Sequence, residues 1–94
     1  MDNWLARTRL LLGDEAVNSL RHSRVAVLGL GGVGGAAAEA ICRSGVGAML
    51  LADYDRVDIT NLNRQLIAVT STVGHGKAGA AAGRLPGINP GVDV

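Results

Sequence analysis

"RVAVLGLGGVGGAAAEAICRSGVGAMLLAD", residues 24–53, decides the fold. Its opening, "RVAVLGL" (24–30), is a continuous apolar run. That is the pattern of a parallel strand buried on both faces, not of one alternating between core and solvent. "GGVGGAAAEAICRS" (31–44) then opens a helix, with Glu39 and Arg43 spaced i,i+4 in the favourable order. Gly45 is a natural stop. "AMLLAD" (48–53) reads as a second buried strand. Strand, helix, strand predicts a βαβ unit with parallel strands and a right-handed crossover.

Upstream, "NWLARTRLLL" (3–12) reads as a short helix or an arm. Asp14 is placed to cap a second helix through about Arg21, with Ala16, Val17 and Leu20 at helical spacing. Downstream, 54–75 is polar and reads as a loop with one helical turn near 61–66. Residues 76–85 form a helix weakened by Gly79, Gly83 and Pro86; an interior glycine costs roughly 1 kcal/mol relative to alanine. "NPGVDV" (89–94) reads as the start of a third strand. The fold class is α/β: a Rossmann-like parallel βαβ sheet preceded by N-terminal helices, the first half of a doubly wound domain.

The 94 residues suffice for one small domain, and 48% of them are hydrophobic. With no Phe, one Trp, one Tyr and 14 Gly, close backbone packing replaces large rings in the core. A net charge of +1 makes no electrostatic case for nucleic acid or a membrane, and DNA is not an expected partner. One cysteine excludes an internal disulfide, and no metal-ligand spacing occurs. No apolar run approaches the ~20 residues of a membrane span, and "MDNWLARTR" lacks the apolar core of a secretory signal. A cytoplasmic location is the expectation.

Gly29, Gly31 and Gly34 match G-x-G-x-x-G between a strand and a helix. Gly29 permits the tight turn, Gly31 lets phosphate approach the backbone, and Gly34 lets helix and strand pack closely. Phosphate then sits on the helix N-terminus. Tight packing alone is the plain alternative. Asp53 ends the second strand, where an acid can accept hydrogen bonds from the ribose of either NAD or ATP. Asp55 can orient the loop or help hold a magnesium ion. "DYDRVDITNLNRQ" (53–65) separates the two nucleotides. A dinucleotide's pyrophosphate needs little beyond backbone N–H groups. A triphosphate, and a reaction that expels pyrophosphate, needs cations and directed donors at the far phosphates. Asn61, Arg64 and Lys77 are those types: a fork of N–H donors, a mobile point charge, and an amide for a phosphate or a metal-bound water. "GHGKA" (74–78) is no P-loop, because Ser71 stands where glycine is required and Ala78 replaces Ser/Thr.

Together "GLGGVGGAAAEAICRSGVG", "LADYDRVDITNLNRQ", "TVGHGKA" and "INP" resemble the adenylation domain of the ubiquitin-activating-enzyme-like superfamily, ThiF/MoeB type. Within it, "RTRLLLGDEAV" (7–17) and "DITNLNRQLIA" (58–68) are most similar to the tRNA threonylcarbamoyladenosine dehydratases (TcdA type). The resemblance spans nearly all of 1–94 and implies the N-terminal part of an ATP-binding adenylation domain, since members are well over twice this length. It implies ATP and Mg²⁺ as cofactors. Gly32 would lie against the phosphates, Asp53 would hold the ribose, and Asn61, Arg64 and Lys77 would bind triphosphate and magnesium. Arg7 matches an arginine that reaches the partner's triphosphate in such homodimers.

The implied reaction is attack of a carboxylate on the α-phosphate of ATP. In the dehydratases that carboxylate belongs to threonylcarbamoyladenosine in tRNA, and loss of AMP closes a ring. A sulfur-carrier protein as the adenylated partner, with a cysteine desulfurase alongside, is the alternative within the superfamily. An NAD-dependent oxidoreductase half and a non-catalytic nucleotide-binding fragment are the alternatives outside that chemistry. A membrane-associating tail, where a member has one, lies beyond Val94. Cys42 reads as a small buried hydrophobe, His22 as exposed and His75 as shaping the turn before Lys77. Trp4 can anchor the N-terminal arm, and Tyr54 stands where an adenine can pass.

Overall fold

The computed structural model describes residues 2–94. A 3-10 turn, Asp2–Leu5, leads into α1 (Ala6–Leu12) and α2 (Asp14–Arg21). Strand β1 (Arg24–Leu28), helix α3 (Gly32–Arg43) and strand β2 (Ala48–Ala52) form the predicted βαβ unit. A 3-10 turn at Ile59–Asn61, helix α4 (Lys77–Arg84) and a 3-10 turn at Leu85–Gly87 follow. β1 and β2 pair in parallel, Val27 opposite Leu51 and Leu28 opposite Ala52. Beyond β2, Asp93 makes one parallel bridge to Ala48 and exchanges backbone bonds with Met49 and Gly47. The third strand expected at 89–94 is therefore a single rung on the outer edge of β2.

α3 and α4 lie on one face of the sheet, over a core of Val27, Met49, Ala38, Cys42, Ala81 and Leu85. One ion pair joins the two helices, Glu39 on α3 accepting from Arg84 on α4 at 2.6 Å, and a second lies within α3, Glu39 accepting from Arg43 at 3.3 Å. Cys42 is fully buried, with its thiol 3.6 Å from the Leu85 carbonyl oxygen, and burial pushes its pKa up. It is the small hydrophobe expected.

Strands buried on both faces, the expectation for 24–30 and 48–53, are not what forms. Leu28 is 78% exposed and Leu50 66%. Side chains alternate across a strand, and the helices here cover only the face carrying Val27 and Met49. The apolar run marks a strand of the type that is covered twice, but α3 and α4 provide one layer. Two local expectations also shift. Asp14 does not cap α2: Gly13 holds that position, while Asp14 sits in the first turn and pairs with Arg9 at 3.0 Å. The turn expected near 61–66 begins earlier, at Asp58, because the Asp58 side chain accepts from the Thr60 N–H and caps it. No helix among the described residues is long and apolar enough to cross a membrane.

Candidate functional site

The site forms where both strands deliver their C-terminal ends. Gly29 leaves β1 with φ +91°, a conformation glycine adopts without strain. At Gly34 a Cβ would collide with the Gly29 carbonyl oxygen, so the first turn of α3 lies directly on the loop. Gly31 caps α3, and Gly32 has open space around it. The first N–H groups of α3 have no intrahelical partners and carry the positive end of the helix dipole. Such a terminus can seat an anion.

Asp53 ties the second strand to that seat. Its Oδ2 accepts the Leu30 N–H at 2.6 Å and its Oδ1 accepts the Asp55 N–H at 2.7 Å. The Leu30 N–H chiefly, then the Asp55 N–H and the charge of Lys77, hold its carboxyl below the ordinary 3.8. Asp53 is thus a carboxylate at neutral pH with lone pairs still open to a ribose. Asp55 is exposed, and its carbonyl oxygen accepts the Lys77 N–H at 2.9 Å. Hydrogen bonds therefore run from the glycine loop through the Asp53 carboxylate and the Asp55 backbone to the start of α4. Beside this bridge lies an open depression of about 710 Å³ lined by Leu28, Gly29, Leu51, Asp53, Tyr54 and Ala78. Its apolar walls suit a flat heterocycle.

Lys77 is buried along its stem, its charge acts on Asp53, and among the described residues its ammonium makes no hydrogen bond or close ion pair. Asn61 is buried too, and its Oδ1 accepts the Asp58 N–H at 2.8 Å. Its oxygen is committed to the turn, which leaves the Nδ2 donor for a phosphate. Arg64 is exposed and donates through Nη1 to the Thr60 carbonyl at 3.1 Å and to Asn63 Oδ1 at 2.9 Å. Guanidinium has five N–H donors, so several remain for a ligand. Arg7 lies apart, exposed on α1. His75 is exposed and contributes backbone bonds to Val57 and Thr72, shaping the turn before Lys77 as expected.

Gln65 was quoted in the motif but given no role by sequence reasoning. It is buried, its Oε1 has no hydrogen-bond partner, and its Nε2 would stand 3.9 Å from a Cβ at Gly31. The unpaired atom is an acceptor, which calls for a donor from water or a ligand, while Gln65 Nε2 is the group that can donate to phosphate. Its place beside Arg64 in the chain was the one available signal. Among the described residues no three His, Cys, Asp or Glu side chains gather as a metal cluster. A magnesium ion here would take most of its oxygen ligands from phosphate and water.

The ThiF family model matches residues 5–94. The chain belongs to the ThiF family. The tRNA threonylcarbamoyladenosine dehydratase of Bacillus subtilis is 54% identical over 89 residues, 95% of this chain and 35% of that protein. The molybdopterin-synthase adenylyltransferase of Salmonella typhimurium is 40% identical over 80 residues, 85% of this chain and 32% of that one. A crystal structure of the Escherichia coli tRNA N6-threonylcarbamoyladenosine dehydratase in complex with ATP superposes with a TM-score of 0.95 at 41% identity. It is matched over 99% of this chain and 38% of its own. The chain spans about a third of the length of the curated ThiF relatives it matches. The Rossmann-like α/β fold and the family resemblance read from the sequence both stand.

Proposed function

We propose that this chain is the nucleotide-binding N-terminal part of an adenylation domain, that it binds ATP with Mg²⁺, and that it serves carboxylate activation. One observation carries the reading: the glycine loop and helix N-terminus are joined through Asp53 and Asp55 to the start of α4, where the Lys77 charge acts on Asp53, and the Gln65 Nε2 donor lies beside Gly31. That set fits a polyanion longer than a pyrophosphate. Gly31 and Gly32 receive phosphate on the backbone, and Asp53 accepts from the ribose hydroxyls. Asn61 Nδ2, Arg64 and Lys77 supply donors and charge where pyrophosphate leaves. A substrate carboxylate oxygen forms a bond to the α-phosphorus as the bond to the bridging oxygen of pyrophosphate breaks. The product is an acyl adenylate, whose AMP is a good leaving group.

Threonylcarbamoyladenosine in tRNA is the substrate best supported, because the relatives of that name share the most sequence with this chain among those named above. Loss of AMP on ring closure gives net removal of water. The adenylyltransferase relatives favour a protein carboxylate as second reading. A homodimer is part of the proposal: α1 buries no residue, exposes Leu10 and Leu11, and carries Arg7 towards solvent. A cytoplasmic location completes it. Calorimetry with Mg-ATP and with NAD tests the nucleotide, and preference for NAD overturns the reading. Pyrophosphate exchange stimulated by a ubiquitin-like protein and not by threonylcarbamoyladenosine tRNA moves the substrate to the second reading.

A further inference from the structure

Asp58 lies outside every contact assigned to the nucleotide, yet bonded paths run from it to three residues of the site. Its Oδ2 accepts both the N–H and the hydroxyl of Thr60. Its own N–H is accepted by Asn61 Oδ1 at 2.8 Å, which closes a reciprocal capping box around Ile59–Asn61. The Asn61 carbonyl then accepts the N–H groups of Arg64 at 3.2 Å and Gln65 at 2.9 Å. The Thr60 carbonyl accepts from the Arg64 guanidinium at 3.1 Å. One exposed acid thus holds the turn that orients the Asn61 amide, seats Arg64 and carries Gln65 against Gly31.

The surrounding loop makes that cap matter. Its ends are clamped where Val57 exchanges backbone bonds with Gly74 and His75, and Arg56 donates to the Gly74 carbonyl at 2.9 Å. Between the clamps the segment has no strand partner and no helix longer than the 3-10 turn. Ile67 and Ala68 anchor the later part of the segment in the core, but Ile59, Leu62 and Leu66 at the turn stay partly exposed, so apolar packing holds the turn itself less firmly. Local hydrogen bonds have to set its conformation. An aspartate, asparagine or serine side chain serves such a cap about equally well, and alanine does not.

We infer that Asp58 is a positioning residue for the phosphate-site side chains Asn61 and Arg64 and for Gln65 beside the glycine loop, acting by capping their turn and not by its charge. The inference rests on the ATP-binding reading above and deepens it. Binding of Mg-ATP to the 94-residue chain, measured by calorimetry for D58A, D58N and R64A, tests it together with amide hydrogen exchange. D58A weakens ATP binding about fivefold, the usual consequence of losing one cap. It also speeds exchange at Asn61, Arg64 and Gln65 and leaves the amides of β1 and α3 unchanged. D58N restores both affinity and protection, which a purely electrostatic role would not allow. If R64A weakens binding and D58A does not, the positioning role is overturned and the ATP reading stands. If D58N behaves as D58A, charge and not capping is responsible, and the inference fails. If the unaltered chain binds no ATP, the reading and the inference fall together.

Discussion

Asp53 Oδ2 accepts the Leu30 N–H at 2.6 Å, which joins the end of β2 to the loop that leaves β1. A strand-end acid here sets the shape of the anion seat before any ligand arrives. Asp53→Ala therefore costs more than a ribose contact. It frees the Leu30 and Asp55 N–H groups together and loosens the glycine loop. We expect D53A to lower ATP affinity by more than tenfold and to speed amide exchange at Leu30 in the absence of nucleotide. Unchanged exchange at Leu30 would leave ribose binding as the whole of its role.

The same bond makes stability depend on pH. The Asp53 carboxyl lies below its ordinary 3.8, and that of Glu39 below 4.5, the latter chiefly through the Arg84 hydrogen bond. A carboxyl depressed in the folded state contributes stability above its unfolded pKa and loses it as pH falls through the folded one. The thermal midpoint is expected to hold from pH 7 to about 5 and to drop below about 4. Glu39→Gln removes part of that acid dependence and costs about 0.5 kcal/mol at pH 7, the scale of a partly exposed pair. For a domain this size that is a fall of roughly 2–4 °C. Parallel acid profiles for the two proteins in a scanning calorimeter would remove Glu39 from the account.

Lys77 separates function from stability. Its stem is buried and its charge acts only weakly, on Asp53, so an apolar residue of similar length keeps the packing and drops the charge. Lys77→Met is expected to leave the thermal midpoint unchanged or higher. Losing a charge-assisted bond to phosphate should weaken Mg-ATP binding roughly ten- to a hundredfold. A falling midpoint with unaltered ATP affinity would make Lys77 structural.

Two glycines in helices predict opposite outcomes. Gly34→Ala drives a methyl into the Gly29 carbonyl oxygen, and backbone has to move to admit it. We expect a loss of about 1–3 kcal/mol in urea denaturation, the usual scale of overpacking. Gly79, inside α4, has nothing within 4 Å of a Cβ. Gly79→Ala should gain about 0.5–1 kcal/mol by restraining the unfolded chain and favouring the helix. Equal effects at the two positions would mean that neither local environment governs.

Much of this was legible in the residues. The βαβ order, the Gly45 stop, the buried Cys42 and the roles of Gly29 and Gly34 follow from patterns spanning a few residues. So does the helix at 77–84, which forms despite Gly79 because Ala81 and Leu85 anchor its inner face. Gln65 was not legible in this way. Its meaning depends on Gly31, 34 positions away, and no local periodicity reports such a meeting.

Sequence alone determined the strand–helix–strand order over 24–52, that those two strands run parallel, and that a glycine loop opens onto a helix, because local sterics and hydrophobic spacing act within a turn or two. Tertiary structure alone decided that only one sheet face is covered and that Asp53 is bonded to the loop. It also decided that Asn61 has its oxygen in a cap while Gln65 is left unpaired. Burial and hydrogen-bond satisfaction belong to pairs of distant groups, and those pairs exist only once the chain has closed on itself.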